Sequence, residues 1–205
     1  MKENCLIYNF AQHYRYGIFS LIDESNNFDM YFGDSFLDVK KINYSNLHNF
    51  SGELKNISIF SEIYYQKGAV SLFFKPYKQY LILGEYYCIS TWIILILSYF
   101  TSKKVFFWSH GWYGDEGLLK KIVKTIFFKM SDGVFLYGNY AKNLMIKRGF
   151  NHSKLHVIYN SLNYKEQLDV RKKLKSSNFF NNYFNNTNPT LIFIGRLTKV
   201  KKLEL

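Results

Sequence analysis

The stretch YLILGEYYCISTWIILILSYFTSKKVFFWSHG, residues 80–111, contains one strand–helix–strand unit. Its first four residues form an apolar run of strand length, residues 89–99 have the length and composition of a buried helix, and residues 104–108 form a second apolar run. Gly84 and Glu85 interrupt the stretch and leave only about 15 apolar residues, fewer than the roughly 20 that a membrane-spanning helix needs. The stretch therefore predicts two buried strands joined by a helix rather than a membrane span.

The same alternation of strand and helix patterns continues on both sides of this unit. Further strands are predicted at Leu6–Tyr8, Ile57–Phe60, Val134–Tyr137 and Leu155–Tyr159. Apolar residues recur at helical spacing over 118–130, and Asn139 is suited to cap a helix that stops at Gly149. Alternation of this kind is typical of an α/β, Rossmann-like, doubly wound parallel sheet with helices on both faces.

The last 28 residues differ from the rest of the chain. Residues 178–189 are mostly Asn and show neither helix nor strand period, which indicates a linker or surface insertion. Thr190–Ile194 has the pattern of a buried strand, and Gly195 follows it at once. We therefore expect an N-terminal domain over 1–177, a linker, and over 190–205 the first strand of a truncated second domain, with poor cover for that strand's apolar face.

Composition limits the class of protein. With 48% hydrophobic residues in 205, the chain can bury a core, and its net charge of +12 favours an anionic partner such as nucleic acid, an anionic lipid surface or a phosphorylated substrate. Cys5 and Cys88 lack the spacing of metal ligands. The N-terminus lacks the apolar core of a signal peptide. These features predict a cytoplasmic protein without a bound metal.

The turn that begins at Gly195 has residues suited to a diphosphate. It follows an apolar run and precedes a helical pattern, so backbone N–H groups at the helix start, together with Arg196 and Lys201, can neutralise phosphate charge. An ordinary strand-to-helix turn with solvated lysines explains the same residues equally well.

Several segments, in the same order along the chain, resemble the GT4 family of retaining glycosyltransferases. In that family a Gly-Arg-Leu turn precedes a Lys five positions after the Arg, as at 195–201 here. The segments Ser131–Val134, Lys154–Ser161 and Trp108–Gly111 resemble further family motifs, and His13–Phe19 is similar to a His-Tyr-Arg motif of a subset. Lys202 and Ser161 stand where the family usually has Gly.

This resemblance implies a GT-B fold, in which two Rossmann-like domains face a cleft with the acceptor on the first and the nucleotide sugar on the second. It implies transfer of a sugar, with retention of configuration, to a glycan or lipid-linked acceptor, and a role in cell-surface polysaccharide synthesis. Gly195, Arg196 and Lys201 would bind the donor diphosphate. No Asp-x-Asp occurs in the sequence, in agreement with chemistry that needs neither metal nor cofactor beyond the nucleotide-sugar donor.

Three residues are candidates on the acceptor side. The resemblance implies that His110 faces the cleft and contributes a polar contact in catalysis, whereas a strand-end histidine bonded to local backbone is the alternative. Tyr14 and Arg15 are candidates to bind an anionic or sugar acceptor, although a surface arginine packed on a ring fits the pattern almost as well. The adjacent carboxylates Asp115 and Glu116 are predicted to lie in a solvated loop.

Other functions stay open at this point. The chain fits a catalytically inactive half-enzyme or binding domain, and we expect the 205-residue chain alone to transfer no sugar because the paired Glu residues of the family's second domain would lie beyond Leu205. A basic nucleic-acid-binding domain fits the charge but lacks a known module, so nucleic acid is not predicted as a partner. Lys120, Lys121 and Lys124 either bind an anionic membrane surface or simply face water while the helix packs on the sheet.

Overall fold

The computed structural model describes residues 2–35, 39–160, 163–175 and 177–195. The chain divides into two compact units, Met1–Tyr164 and Lys165–Leu205. The first unit contains the whole of the sheet described below.

The strands are β1 (Asn4–Tyr8), β2 (Phe28–Gly33), β3 (Phe50–Phe60), β4 (Ile63–Lys67), β5 (Gln79–Leu83), β6 (Lys104–Ser109), β7 (Gly133–Leu136) and β8 (Leu155–Val157). The helices are α1 (Tyr16–Glu24), α2 (Ala69–Phe73), α3 (Ile89–Ser98), α4 (Leu118–Lys129), α5 (Asn139–Lys147), α6 (Tyr164–Lys173) and α7 (Phe179–Phe184). Short 3-10 turns lie at His13–Arg15, Tyr44–Asn46 and His152–Lys154.

The eight strands form one sheet in the order β4-β3-β2-β1-β5-β6-β7-β8. Every pairing is parallel except β3 with β4, which form an antiparallel hairpin at one edge. The Rossmann-like α/β fold predicted from the sequence is thereby confirmed, and the hairpin is an addition that the prediction lacked. The strand order reverses between β1 and β5, which is where sheets of this kind leave a crevice at their carboxyl edge.

The sheet is buried on both faces, as a doubly wound sheet requires. Along β1, Cys5 and Ile7 point into one hydrophobic cluster, which also contains residues of α2, α3, α4 and α5. Leu6 and Tyr8 point into a second cluster on the opposite face, where Phe19 of α1 packs. Because side chains alternate along a strand, a near-continuous apolar run supplies both cores at once.

Several element boundaries differ from the predicted ones. β3 begins at Phe50, well before the predicted start at Ile57, because its first half pairs with β2 and its second half with β4. Asn139 is the first residue of α5 rather than its cap, which is Gly138. The helix α7 lies inside the segment 178–189 that was predicted to be a linker. Propensity along the sequence does not reveal these tertiary effects.

Residues 190–194 belong to no strand or helix. Leu191 and Ile194 are 98% and 87% exposed, so the apolar run is uncovered, as expected, but it does not form the predicted strand. A strand gains its stability from a ladder partner, and none lies beside this run in the described part of the chain. The domain limits at 177 and 190 stay a prediction.

The apolar positions of α4 are distributed differently from the predicted pattern. Lys124 is buried at 2% exposure, whereas Leu119, Ile122 and Ile126 are between 50% and 76% exposed. The helix therefore turns a lysine toward the protein and part of its apolar stripe toward solvent, because Lys124 finds buried polar partners in the preceding loop. Within the described ranges, no helix is long and apolar enough to cross a membrane.

Candidate functional site

A cavity of about 240 Å³ opens at the carboxyl edge of the sheet, beside the point where the strand order reverses between β1 and β5. We call it the cleft cavity. The residues that matter below follow β1, β5, β6 and β7 and are Asn9, Gln12, Tyr14, Arg15, Glu85, His110 and Tyr137. All of the residues that line this cavity belong to the first unit.

Arg15 is the main positive charge in the cleft cavity. It ends the 3-10 turn at His13–Arg15, is only 8% exposed, and lies 5.6–6.0 Å from the centres of the Tyr8, Trp108 and Tyr137 rings. Its Nε and Nη1 atoms are buried and have no hydrogen-bond partner. Aromatic faces attract a guanidinium, but they do not satisfy its N–H groups. No protein group among the described residues satisfies these donors.

Two buried acceptors in the same cavity are also unpaired. Asn9 and Gln12 are 5% and 6% exposed, and neither Asn9 Oδ1 nor Gln12 Oε1 has a hydrogen-bond partner. A buried polar atom without a partner costs about 1–3 kcal/mol. Such atoms are rare in folded proteins, and their concentration around one cavity indicates that a polar ligand or water completes them.

Glu85 follows β5 and lies against Asn9. Asn9 Nδ2 donates to its Oε1 at 3.1 Å, and the Tyr64 hydroxyl donates to its Oε2 at 2.6 Å. Burial raises the pKa of Glu85 above its ordinary value, and the hydrogen bonds from Tyr64, Tyr87 and Asn9 oppose this rise. Glu85 thus links β1 and β5 across the crevice and places a carboxyl group at its floor.

His110 follows β6 at the mouth of the cleft cavity. Its ring stands edge-on to Tyr137, with centroids 4.4 Å apart. Desolvation by these neighbours lowers the pKa of His110 below its ordinary value, and the positive charge of Arg15 lowers it further. This shift favours the neutral ring. Gly111, at φ +69°, turns the chain directly after it, and a Cβ there would lie 2.6 Å from Leu136 Cδ2.

The loop after His110 is held by a buried ion pair. Lys124 Nζ lies 2.6 Å from Glu116 Oε1 and donates to the Gly111 carbonyl at 2.8 Å. The backbone N–H groups of Tyr113 and Gly114 donate to the Glu116 carboxylate. Burial alone would raise the pKa of Glu116, but these hydrogen bonds outweigh it and lower the pKa to about 2. The prediction that Glu116 lies in a solvated loop is wrong, because sequence spacing did not reveal its partner eight residues later.

The structure brings the three acceptor-side candidates together. Tyr14, 44% exposed, Arg15 and His110 all line the cleft cavity, and Arg15 is buried rather than a surface arginine. Their roles as binding and catalytic residues stay predictions. Gly195 is exposed in the second unit. Arg196 and Lys201 lie outside the described residues.

Sequence reasoning missed the other polar residues of the cavity, Asn9, Gln12, Glu85 and Tyr137. One signal points to most of them. Asn9, Glu85 and Tyr137 come one or two residues after a buried strand, as His110 does. Applying the strand-end rule to every predicted strand would have found Asn9 and Glu85, whereas Tyr137 was predicted to be the last residue of its strand.

Among the described residues, no group of three or more His, Cys, Asp or Glu side chains is arranged to hold a metal ion. The polar groups that line the cleft cavity include a guanidinium, an imidazole, a carboxyl group, side-chain amides, an ammonium group and hydroxyl groups. Together these groups bind anions and hydroxyl groups.

Solved structures share this fold at low sequence identity. UDP-GlcNAc 2-epimerase from Methanocaldococcus jannaschii matches with a TM-score of 0.55 and 16% identity, over 90% of this chain and 52% of that one. Another UDP-N-acetylglucosamine 2-epimerase matches with a TM-score of 0.53 and 11% identity, over 77% of this chain and 48% of that one. The apo form of the lipopolysaccharide outer core galactosyltransferase WaaB matches with a TM-score of 0.48 and 16% identity, over 79% of this chain and 46% of that one.

No protein-family model and no curated protein matches the chain. The chain spans about half the length of the solved structures it resembles. These likenesses show the fold: a Rossmann-like α/β domain of the kind that makes up one half of a GT-B protein.

Proposed function

We propose that this chain is the acceptor-side domain of a glycosyltransferase that uses a nucleotide sugar, and that its cleft cavity binds the acceptor. One observation carries the proposal: Arg15 Nε and Nη1, Asn9 Oδ1 and Gln12 Oε1 are all buried and unpaired around a single cavity at the crevice of the sheet. A sugar that carries an anionic group supplies hydroxyl donors for the two amide oxygens and acceptors for the guanidinium.

Each residue has a distinct role in this proposal. Arg15 binds a phosphate or carboxylate of the acceptor, and the aromatic rings around it hold the guanidinium in place. His110, whose lowered pKa favours the neutral ring, donates one hydrogen bond to a reacting hydroxyl group or accepts one from it. Tyr14 lines the same cavity. The buried Glu116–Lys124 pair fixes the loop that carries His110.

The donor side of the proposal rests on sequence resemblance. Gly195, Arg196 and Lys201 would bind the diphosphate of the nucleotide sugar without a metal, and transfer would retain the anomeric configuration. The acceptor would be a glycan or a lipid-linked sugar used in cell-surface polysaccharide synthesis. We expect the 205-residue chain to bind ligands of the cleft cavity.

A second candidate function is epimerisation of a nucleotide sugar. It is favoured by the two structures with TM-scores of 0.55 and 0.53, both UDP-GlcNAc 2-epimerases. The two functions differ in their need for an acceptor. An epimerase converts UDP-GlcNAc to its C2 epimer in the absence of any second sugar, whereas a transferase releases UDP only when an acceptor is present. Chromatography of the products formed from UDP-GlcNAc, with and without an acceptor sugar, separates the two.

The apolar side of α4 supports a contact with an anionic membrane surface. Leu118, Leu119, Ile122 and Ile126 are 50–77% exposed, and a net charge of +12 attracts anionic lipid. Lys124 is buried and cannot contribute, unlike Lys120 and Lys121. We expect a variant with Leu119→Ser and Ile122→Ser to sediment less with phosphatidylserine vesicles than the parent chain. Equal sedimentation of the two proteins would show that the apolar side of α4 does not contact the membrane.

Calorimetry with glucose 1-phosphate tests the proposed site, since this probe carries both an anion and hydroxyl groups. We expect the chain to bind it, and Arg15→Met to weaken binding by about tenfold or more, corresponding to one charge-assisted hydrogen-bonded contact of 1.5–3 kcal/mol. Arg148→Met is the matched control, because Arg148 packs on Trp112 and does not line the cavity. Equal loss in both variants, or no binding by the parent chain, would contradict the proposal.

A further inference from the structure

A second cavity, of about 510 Å³, adjoins the cleft cavity on the side of the β3–β4 hairpin. We call it the hairpin cavity. Its lining includes Asn56, Ser58, Ser61, Glu62, Tyr64 and Tyr87. Its volume lies in the range of 300–1,000 Å³ that is typical of pockets for small organic ligands.

The two cavities share a boundary made of Asn9, Glu85 and Tyr87. Asn9 Nδ2 donates a hydrogen bond to Glu85 Oε1. The other end of the amide, Asn9 Oδ1, is buried and has no hydrogen-bond partner. Asn56 Nδ2 in turn donates to the Asn9 carbonyl at 2.7 Å. One hydrogen-bonded network therefore runs from β1 to the hairpin and connects the cavities.

The two cavities differ in charge. The cleft cavity contains the cations Arg15 and Lys124, whereas the lining of the hairpin cavity contains Glu62 and the shared Glu85 and, among the residues that the structure describes, no lysine or arginine. An anionic group bound in the hairpin cavity would meet only like charge and uncharged dipoles. A neutral ligand rich in hydroxyl groups meets no such penalty.

The remaining lining fits the surface of a sugar. Ser58 and Ser61 offer hydroxyl groups that both donate and accept, beside the Asn56 amide, which bonds to Asn9, Ser35 and Gln66. The Tyr64 and Tyr87 rings, with centroids 6.1 Å apart, add apolar area beside these polar groups. A few placed polar groups on an apolar wall is the usual composition of a specific small-molecule site.

We infer that the hairpin cavity is a subsite for a neutral sugar residue of the acceptor, continuous with the cleft cavity that holds the acceptor's anionic group. The inference rests on the proposed acceptor role of the cleft cavity. It requires an acceptor of at least two units, with its charged end at Arg15 and an uncharged sugar against the β3–β4 hairpin.

An NMR titration of the ¹⁵N-labelled chain tests this subsite. The probes are lactose, maltose and N,N′-diacetylchitobiose, which are neutral, and glucose 1-phosphate, which is charged. We expect at least one disaccharide to shift the amide signals of Ser58, Ser61 and Tyr64, and glucose 1-phosphate to shift those around Arg15 and His110 instead.

Ser58→Trp places a bulky ring in the hairpin cavity, and Ile57→Trp is its control on the adjacent, oppositely directed position of β3. We expect roughly tenfold weaker disaccharide binding in the first variant and unchanged binding in the second. If no disaccharide shifts the hairpin signals, or if Ser58→Trp leaves those shifts intact, the subsite is refuted even when glucose 1-phosphate still binds. Loss of glucose 1-phosphate binding alone would instead refute the proposed function.

Discussion

Arg15 and Lys124 are both buried cations that line the cleft cavity, yet their surroundings differ. Lys124 Nζ has Glu116 at 2.6 Å and the Gly111 carbonyl at 2.8 Å. Arg15 has aromatic rings on its faces and no hydrogen-bond partner at Nε or Nη1. The fold supplies hydrogen-bond partners for Lys124 and leaves two nitrogen atoms of Arg15 without them.

This difference separates a structural role from a binding role. A buried charge with its counter-ion holds the fold in one geometry, and removing one partner leaves the other charge uncompensated. A buried charge with open donors costs the free protein stability, which a ligand can recover when it binds. We therefore expect the two residues to respond oppositely when each is replaced by methionine, which has a similar length and no charge.

The largest expected effect is on Lys124. Replacement by Met leaves Glu116 buried at 1% side-chain exposure without its cation, so we expect the free energy of unfolding to fall by about 3–5 kcal/mol. Urea denaturation followed by tryptophan fluorescence measures this change. Adding Glu116→Leu to Lys124→Met removes the orphaned carboxylate, and we expect the double variant to regain much of the loss. A single variant as stable as the parent would show that the pair does not hold the loop.

The dependence of stability on pH gives a second test of the Glu116–Lys124 pair. The folded protein lowers the pKa of Glu116 from 4.5 to about 2, so the folded state binds fewer protons than the unfolded state between these values. The resulting stabilisation, on the order of 3 kcal/mol, is present above pH 4.5 and is lost as the pH falls toward 2. We expect Glu116→Gln to be less stable than the parent at pH 6 and to approach it at pH 2.5. If the free energy of unfolding depended on pH in the same way in both proteins, Glu116 would not be the group whose pKa is lowered by folding.

A smaller effect is expected at His110. Desolvation and then the charge of Arg15 lower its pKa, so Arg15→Met should raise the pKa toward the ordinary value, while Arg148→Met should not. NMR titration of the ring protons measures both shifts. Since the folded ring resists protonation, its contribution to stability is complete at neutral pH and declines as the pH falls below about 6.5, the unfolded value. An unchanged His110 pKa in Arg15→Met would show that the two groups do not interact.

Much of the fold was predictable because strands of a parallel sheet are buried on both faces and appear as apolar runs. Tyr80–Leu83 and Lys104–Trp108 were located within one or two residues. The β3–β4 hairpin was not, because its pairing depends on contacts between distant segments. Its exposed positions Ile57 to Phe60 also show little alternation of polar and apolar residues.

The candidate site was only partly predictable. His110, Tyr14 and Arg15 came from resemblance to a family, and the structure places them around one cavity. Whether a buried atom is paired or unpaired cannot be read from sequence, because it depends on which loops meet. The unpaired atoms of Asn9 and Gln12, and the pairing of Glu116 with Lys124, therefore appeared only in three dimensions.

The most direct test of the central claim is the stability of Arg15→Met, measured by thermal unfolding with and without glucose 1-phosphate. We expect that, without ligand, the variant is at least as stable as the parent, because a buried guanidinium with two unpaired nitrogen atoms has been replaced by an apolar chain. We also expect the ligand to raise the Tm of the parent and of Arg148→Met, but not that of Arg15→Met. A variant that loses several kcal/mol of stability without ligand, or one that the ligand stabilises as much as the parent, would contradict the claim that Arg15 is held open for an anionic ligand.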